Sequence, residues 1–191
     1  MQSGGEVAYV AVGANLGDRE SVLAQTILAI EAETDLVLRA ASPVFETDPV
    51  GPAGQGAYLN AMLELDVALS PRALLDRLQA IEMSMGRDRS AAAVRWGART
   101  LDLDLIFFGS ERVDAPDLIV PHPRAHLRAF VMRPMAALAP EFIHPVLGLA
   151  VERILAGLPA ADLAGVRPFA RPEGWPVSPD GPEAAAEKES L

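Results

Sequence analysis

Hydrophobic and polar positions alternate with two different periods along the chain, and these periods predict strands and helices in a definite order. The clearest strand covers residues 58–69, where every second side chain is apolar, as in a strand with one buried face. Residues 7–12 form a continuous apolar run, which is typical of a strand buried on both faces. Residues 36–47, rich in branched side chains, and residues 100–109 are predicted as two further strands.

Two segments with apolar positions three or four residues apart predict helices between these strands. The first follows Asp18, a residue type that caps helix N-termini. The second follows Ser70 and Pro71 and ends at Gly86, which are favoured residues for the start and end of a helix. The order strand, helix, strand, strand, helix, strand predicts the α+β class. Its core is a ferredoxin-like βαββαβ unit with helices on both sides of an antiparallel sheet, followed by C-terminal helices.

Composition and charge restrict the classes of protein to consider. Half of the 191 residues are hydrophobic, so we expect a single domain over residues 1–165 and a disordered tail rich in proline and acids over residues 166–191. The absence of cysteine excludes disulfides and thiolate metal sites. A net charge of −10 argues against a nucleic-acid partner. Without a membrane span or secretory signal, we expect a cytoplasmic protein with no membrane partner. We also expect a monomer.

Residues 95–104, Arg-Trp-Gly-Ala-Arg-Thr-Leu-Asp-Leu-Asp, carry the clearest chemical signal. On a strand, Asp102 and Asp104 point to the same face with their Cα atoms roughly 6.5–7 Å apart. Paired carboxylates beside arginines supply what Mg²⁺-assisted phosphate transfer needs, namely oxygens for the metal and cations for the polyanion. The spacing therefore predicts a metal and phosphate site. It leaves open the alternative of two exposed aspartates on an edge strand.

Other side chains are candidates for the same site. Four arginines in an otherwise acidic protein either neutralise a polyphosphate or form a solvated loop: Arg87, Arg89, Arg95 and Arg99. Trp96 either covers a ligand or packs against the body. Tyr58 and Asn60 share a strand face and offer a stacking surface and an amide for a heterocycle, or are a neutral surface pair. His122, between two prolines, is the best histidine to donate to phosphate.

Several motifs occur together over about 150 residues. A segment of the form basic-x-Gly-small-Arg-x-x-Asp-aliphatic-Asp matches residues 95–104. It is accompanied by further motifs at residues 11–17, 45–51, 58–60, 79–82, 86–87 and 121–130. In these motifs the chain resembles the hydroxymethyldihydropterin pyrophosphokinases of folate biosynthesis.

The resemblance implies transfer of pyrophosphate, as one unit, from the co-substrate ATP to the hydroxymethyl group of 6-hydroxymethyl-7,8-dihydropterin, with release of AMP. It implies that Asp102 and Asp104 hold two Mg²⁺ ions on the triphosphate and that Arg87 and Arg99 contact the transferring phosphates. The residues implied for ATP binding are Gln79, Glu82, Arg95, Trp96, His122 and Arg128. The residues implied for pterin binding are Thr47, Asp48, Val50, Tyr58, Asn60 and Phe130.

Two other classes of function compete with this reading. The predicted fold alone is also that of ferredoxin-like RNA-binding modules, although their aromatic strand motifs are absent here and the net charge has the wrong sign. A non-catalytic regulatory domain that binds a ligand without Mg²⁺ and without turnover is the second alternative.

Overall fold

The computed structural model describes residues 5–49, 54–86 and 99–176. The strands are, in chain order, β1 (Glu6–Ala14), β2 (Leu36–Ala41), β3 (Phe45–Thr47), β4 (Tyr58–Val67), β5 (Asp102–Phe108), β6 (Val113–Ala115), β7 (Leu118–Val120) and β8 (Val166–Pro168). The helices are α1 (Arg19–Glu31), α2 (Pro71–Ser84), α3 (Ala129–Leu138), α4 (Val151–Ala156) and α5 (Ala160–Ala164), with a 3₁₀ turn at Ala125–Leu127.

Six strands form one antiparallel sheet with β1 and β4 at its centre. The order is β5-β1-β4-β3-β8, and β2 pairs with β4 along the same edge as β3. The fourth predicted strand therefore lies beside the first, which lies beside the third, as in a ferredoxin-like sheet. The predicted fold class is confirmed.

The two faces of the sheet pack against different helices. Val10 and Val12 belong to the larger core, which includes the buried side chains of α1 and α2. Tyr9 and Ile106, on the opposite face, pack with the buried residues of α3. Because strand side chains alternate between faces, successive residues of β1 and β5 are buried alternately in one core and in the other.

The helix ends follow the predicted signals. The Asp18 carboxylate accepts a hydrogen bond of 3.1 Å from the Ser21 backbone N–H at the start of α1. Gly86 follows α2 with a φ of +85°, a conformation that glycine adopts without strain. Within the described ranges, no helix has both the length and the apolar content to cross a membrane.

The predicted strand over residues 36–47 is wrong in one respect, because the structure divides it into β2 and β3. The interruption falls at Ser42 and Pro43. The Ser42 backbone donates to the Met62 carbonyl, while its hydroxyl accepts from the Met62 N–H at 2.9 Å. Pro43 has no N–H to continue the ladder. Both pieces therefore pair with β4, but along different parts of it.

The predicted domain boundary at residue 165 is also wrong, because residues 166–176 are part of the fold. β8 pairs with β3. Trp175 is 4 % exposed in the larger core, and its indole N–H donates to the Ser42 carbonyl at 2.9 Å. This burial outweighs the polar composition on which the predicted tail rested. Residues 177–191, the remainder of that predicted tail, lie outside the described residues.

Candidate active site

A cleft of about 320 Å³ opens on the face of the sheet that also carries α3. Its floor is formed by β1, β4 and β5, and α3 with the residues before it forms one wall. The lining residues are Ala11, Val12, Gly13, Thr47, Asp48, Tyr58, Asn60, Arg99, Asp102, Asp104, His122, Arg124, Arg128, Phe130 and Val131. The structure thus brings together most of the described residues implied by the resemblance.

Gly13 forms the centre of the floor. On β1 it is paired with Asn60 of β4 on one side and with Asp102 of β5 on the other. A Cβ at this position would lie 2.9 Å from the Asn60 side-chain oxygen. The glycine therefore leaves room for the amide and keeps open the path between Asn60 and the aspartates. No pattern in the sequence predicted this role for Gly13.

Asp102 and Asp104 line the cleft together, while Leu103 between them is buried in the opposite core. The prediction that both carboxylates share one face is confirmed. They lie on the edge strand β5, but the Asp102 side chain is only 24 % exposed. Burial, reinforced by the negative charge of Asp102, raises the pKa of Asp104 to about 6.

This donor set fits Mg²⁺. Among the described residues, no three of His, Cys, Asp and Glu are grouped so that they could hold a metal ion. Mg²⁺ is commonly bound through only one or two carboxylates together with water and substrate phosphates. A divalent ion would also relieve the repulsion between Asp102 and Asp104. The two aspartates therefore suit a metal that arrives with a polyphosphate.

Arg99 connects Asp102 to Asn15, the residue that directly follows β1. Its guanidinium lies 2.7 Å from the Asp102 carboxylate. Its backbone N–H donates to the Asn15 side-chain oxygen at 2.7 Å, and its carbonyl accepts from the Asn15 N–H at 3.1 Å. Asn15 is therefore a positioning residue that our sequence reasoning missed. In the sequence, the available signal was an asparagine directly after the apolar residues of β1. The structure shows that its side chain is buried.

The end of the cleft opposite β5 is formed by polar and aromatic side chains, namely Thr47, Asp48, Tyr58, Asn60 and Phe130. The Asn60 amide N–H donates to the Thr47 hydroxyl at 2.6 Å, which fixes the amide and directs its oxygen over Gly13. Tyr58 and Phe130 contribute two aromatic rings to the lining. This end offers hydrogen-bonding groups for the edge of a planar heterocycle and apolar rings for its faces.

One wall of the cleft carries two arginines, Arg124 and Arg128, beside His122. Burial, together with the charges of Arg128 and Arg124, lowers the pKa of His122 to about 4. The His122 Nδ1 atom accepts from the Arg124 N–H at 3.3 Å, so the neutral ring carries its proton on Nε2. Arg128 also lies 5.5 Å from the centroid of the Phe130 ring. Arg124 lines the cleft but was not among the predicted site residues.

The remaining predicted residues do not line the cleft or cannot be placed. Gln79 and Glu82 lie on α2 and are not lining residues. Glu82 is completely buried, and its carboxylate accepts a hydrogen bond from the Leu103 backbone N–H at 2.7 Å. The predicted roles of Arg87, Arg95, Trp96 and Val50 fall on residues outside those that the structure describes. The ligand contacts predicted for all these residues stay predictions.

Solved structures with a similar fold include an HPPK-DHPS crystal structure in complex with substrates, with a TM-score of 0.65, 12 % identity and coverage of 81 % of this chain and 43 % of that chain. A Plasmodium falciparum HPPK-DHPS structure with pteroate has a TM-score of 0.61 at 12 % identity, covering 82 % of this chain and 44 % of that chain. The chain thus spans less than half the length of these structures. At this identity they support the fold alone.

Sequence relatives are much more similar. The 2-amino-4-hydroxy-6-hydroxymethyldihydropteridine pyrophosphokinase of Pseudomonas aeruginosa is 43 % identical over 151 residues, which cover 79 % of this chain and 91 % of the relative. The enzyme of that name from Bacillus subtilis is 41 % identical over 135 residues, 71 % of this chain and 79 % of the relative. A family profile for 7,8-dihydro-6-hydroxymethylpterin-pyrophosphokinase matches residues 9–140. This chain belongs to the 7,8-dihydro-6-hydroxymethylpterin-pyrophosphokinase family.

Proposed function

We propose that this chain transfers the pyrophosphoryl group of ATP to the hydroxymethyl group of 6-hydroxymethyl-7,8-dihydropterin and releases AMP, as a step in folate biosynthesis. The observation that carries the proposal is one cleft with Asp102 and Asp104 at one end and Asn60 at the other, in a chain of this family. The two ends match the two substrates, since one is built for a metal polyphosphate and the other for a flat heterocycle.

The pterin end is assigned to the rings of Tyr58 and Phe130 and to the polar groups of Asn60 and Thr47. The pterin ring would lie between the two aromatic side chains, with its hydrogen-bonding edge toward the Asn60 amide. The 2.6 Å hydrogen bond from Asn60 to Thr47 supports this assignment, because it leaves the amide oxygen directed over Gly13 and available to accept. Asp48 and the predicted Val50 would complete this subsite.

The nucleotide end is assigned to the cationic side chains of the cleft. Arg99, Arg124 and Arg128 line the cleft and would neutralise phosphate oxygens. The neutral His122 ring would donate from Nε2 to a phosphate. We add Arg87, Arg95, Trp96 and Gln79 from the family resemblance.

We propose that Asp102 and Asp104 hold two Mg²⁺ ions together with the triphosphate. When bound, the metal would neutralise the negative charge on the phosphate oxygens while this charge shifts from the transferring group to the leaving group. Arg99 would add a second positive charge, because its guanidinium lies 2.7 Å from the Asp102 carboxylate and therefore beside the proposed metal ligands.

In the reaction, the pterin hydroxymethyl oxygen forms a bond to the β-phosphorus of ATP and its proton is released to solvent. The bond from that phosphorus to the α,β-bridging oxygen breaks, and AMP leaves with that oxygen. Phosphoryl-type transfers of this kind depend mainly on positioning and on charge neutralisation. A rigid sheet that carries Asn60 and Asp102 on either side of Gly13 holds the two substrates in one line across three strands. The floor of the sheet thus supplies the positioning.

We also propose that the chain acts as a cytoplasmic monomer. Light scattering coupled to size-exclusion chromatography tests the monomer. The activity is tested with ATP, Mg²⁺ and 6-hydroxymethyl-7,8-dihydropterin, followed by ³¹P NMR or chromatography.

We expect AMP and the pterin diphosphate in equal amounts, with no product when Mg²⁺ is chelated. Formation of ADP would contradict pyrophosphoryl transfer. Pterin binding that is indifferent to nucleotide and Mg²⁺, without turnover, would favour a regulatory domain. RNA binding that survives Asp102→Ala would favour the RNA-binding alternative.

A further inference from the structure

The C-terminal strap, which we define as residues 165–176, lies beyond the segment matched by the family profile. It is attached to the body at three points. β8 pairs with β3, the Phe169 N–H donates to the Val44 carbonyl at 2.9 Å, and the Trp175 indole donates to the Ser42 carbonyl at 2.9 Å. All three contacts fall on β3 or on the residues just before it. The strap therefore holds one particular edge of the sheet.

That edge carries the pterin end of the cleft. β3 has only three residues, with β4 on one side and β8 on the other. Thr47, which accepts the hydrogen bond from Asn60, is paired with Val166 of the strap. Without the strap, β3 would be a very short edge strand with unpaired backbone groups. The position of Thr47 thus depends on β8.

The strap also contacts Asp48, an acidic residue that lines the cleft. The Arg167 guanidinium lies 2.8 Å from one oxygen of Asp48, and the Asp48 backbone N–H donates to the Gly165 carbonyl at 3.3 Å. This arginine lowers the pKa of Asp48. Both side chains are largely exposed, so the ion pair contributes little to stability. Its effect is to direct the Asp48 carboxylate toward the strap.

A second contact reaches the segment before β4. The Arg19 guanidinium lies 5.9 Å from the centroid of the Phe169 ring of the strap. The same guanidinium donates to the Glu46 carboxylate at 3.0 Å and to the Ala57 carbonyl at 2.8 Å. The strap therefore supports both chain segments that flank the pterin end. None of its residues lines the cleft itself.

We propose that the strap is a positioning element for the pterin subsite and that Arg167 is its positioning residue, acting through Asp48. The strap sets the affinity for pterin without touching it and leaves nucleotide binding unchanged. This inference rests on the proposed function, because it assigns the Thr47 end of the cleft to the pterin.

The test uses full-length Arg167→Ala and Arg167→Lys variants. Arg153→Ala, at an exposed position on α4 outside the strap, is the control for loss of an arginine. The dissociation constant of 6-hydroxymethylpterin is measured by calorimetry in the presence of Mg²⁺ and a non-hydrolysable ATP analogue. The dissociation constant of the analogue is measured separately, and KM and kcat are determined for both substrates.

We expect Arg167→Ala to weaken pterin binding by about two- to fivefold, the range of a surface ion pair, with kcat and the affinity for the ATP analogue unchanged. Arg167→Lys should restore most of the affinity, and Arg153→Ala should match the wild type. In an Asp48→Asn background, Arg167→Ala should have no further effect, because the two residues act as a pair.

An unchanged pterin dissociation constant in Arg167→Ala, or an equal loss of pterin and nucleotide affinity, would overturn the inference while leaving the proposed function intact. A wild-type chain that forms no AMP and binds no pterin would overturn the proposed function and the inference with it.

Discussion

The buried carboxylate of Glu82 accepts a hydrogen bond of 2.7 Å from the backbone N–H of Leu103, the residue between the two aspartates of the cleft. β5 is the last strand of the described sheet on that side, so Glu82 supplies a partner where another strand would otherwise be. The contact joins α2 to the strand that carries Asp102 and Asp104. Glu82 thereby holds the strand that carries the two aspartates from behind the cleft.

Replacing Glu82 tests this contact. We expect Glu82→Ala to lower the free energy of unfolding by about 1–3 kcal/mol, because it leaves the buried Leu103 N–H without its acceptor. Turnover at saturating ATP should fall as well, since the two aspartates lose a fixed backbone. Glu82→Gln keeps an acceptor oxygen and should retain more of both. Urea denaturation and AMP formation measure the two effects. Equal losses in the two variants would show that charge matters here and the acceptor does not.

The aspartates themselves should be indispensable for turnover. We expect Asp102→Asn and Asp104→Asn each to reduce kcat on the order of 10³-fold, because each removes charge stabilisation at the transferring phosphates. Asp114→Asn, at an exposed position on β6, is the matched control and should keep full activity. Circular dichroism establishes that the variants fold. A near-wild-type rate in either cleft variant would rule out the proposed metal ligands.

Metal-free protein should lose stability as the pH rises through the pKa of Asp104. This pKa is raised from 3.8 to about 6, so the native state binds a proton that the unfolded chain releases between these values. The stabilising contribution is complete below pH 3.8 and is lost as the pH passes 6. Asp104→Asn should abolish this part of the pH dependence, as measured by Tm in EDTA. If both proteins gave parallel curves between pH 4 and 7, Asp104 would titrate normally.

His122 should stay neutral over the whole physiological range. Its pKa of about 4 has burial as the largest cause and the charges of Arg128 and Arg124 as further causes. Long-range ¹H–¹⁵N NMR should show a neutral ring protonated on Nε2 from pH 5.5 to 8, and Arg128→Ala should raise the pKa. Since the native ring resists protonation, its contribution to stability should decline as the pH falls below its ordinary 6.5. A titration near pH 6.5 in the NMR spectra would contradict this assignment.

The sequence was sufficient for the parts of the fold that depend on periodicity. The alternation along β4 correctly predicts that Leu63 and Met62 lie on opposite faces. It did not predict that Met62 is buried in a second core. The spacing of Asp102 and Asp104 was enough to predict a shared face, because strand side chains alternate regardless of tertiary context. Side-chain chemistry also indicated Tyr58, Asn60 and His122 as candidates, but their assignment to one or the other substrate came from the family resemblance. No local rule brings Asn60 and Asp102 to either side of Gly13.

Contacts between distant segments could not be predicted in this way. β3 and β8 have three residues each, too few to show a period, and their pairing joins residues 45–47 to residues 166–168. Trp175 lies in a stretch whose prolines and acids suggested disorder, yet its indole is buried in the larger core. Glu82 reads as a polar residue on a helix. Only the sheet topology shows that its partner is a backbone N–H on the edge strand.

Two truncations test separately the contribution of residues 177–191 and that of the segment around Trp175. Removing residues 177–191 keeps every contact described above, so we expect unchanged Tm and unchanged turnover. Removing residues 172–191 also deletes Trp175, which is 4 % exposed in the larger core. Loss of a buried tryptophan costs about 3–5 kcal/mol, and in a domain of this size that lowers Tm by about 6–20 °C. Differential scanning calorimetry of the two proteins measures the difference. If both truncations melted at the wild-type temperature, Trp175 would not contribute to the stability of the core.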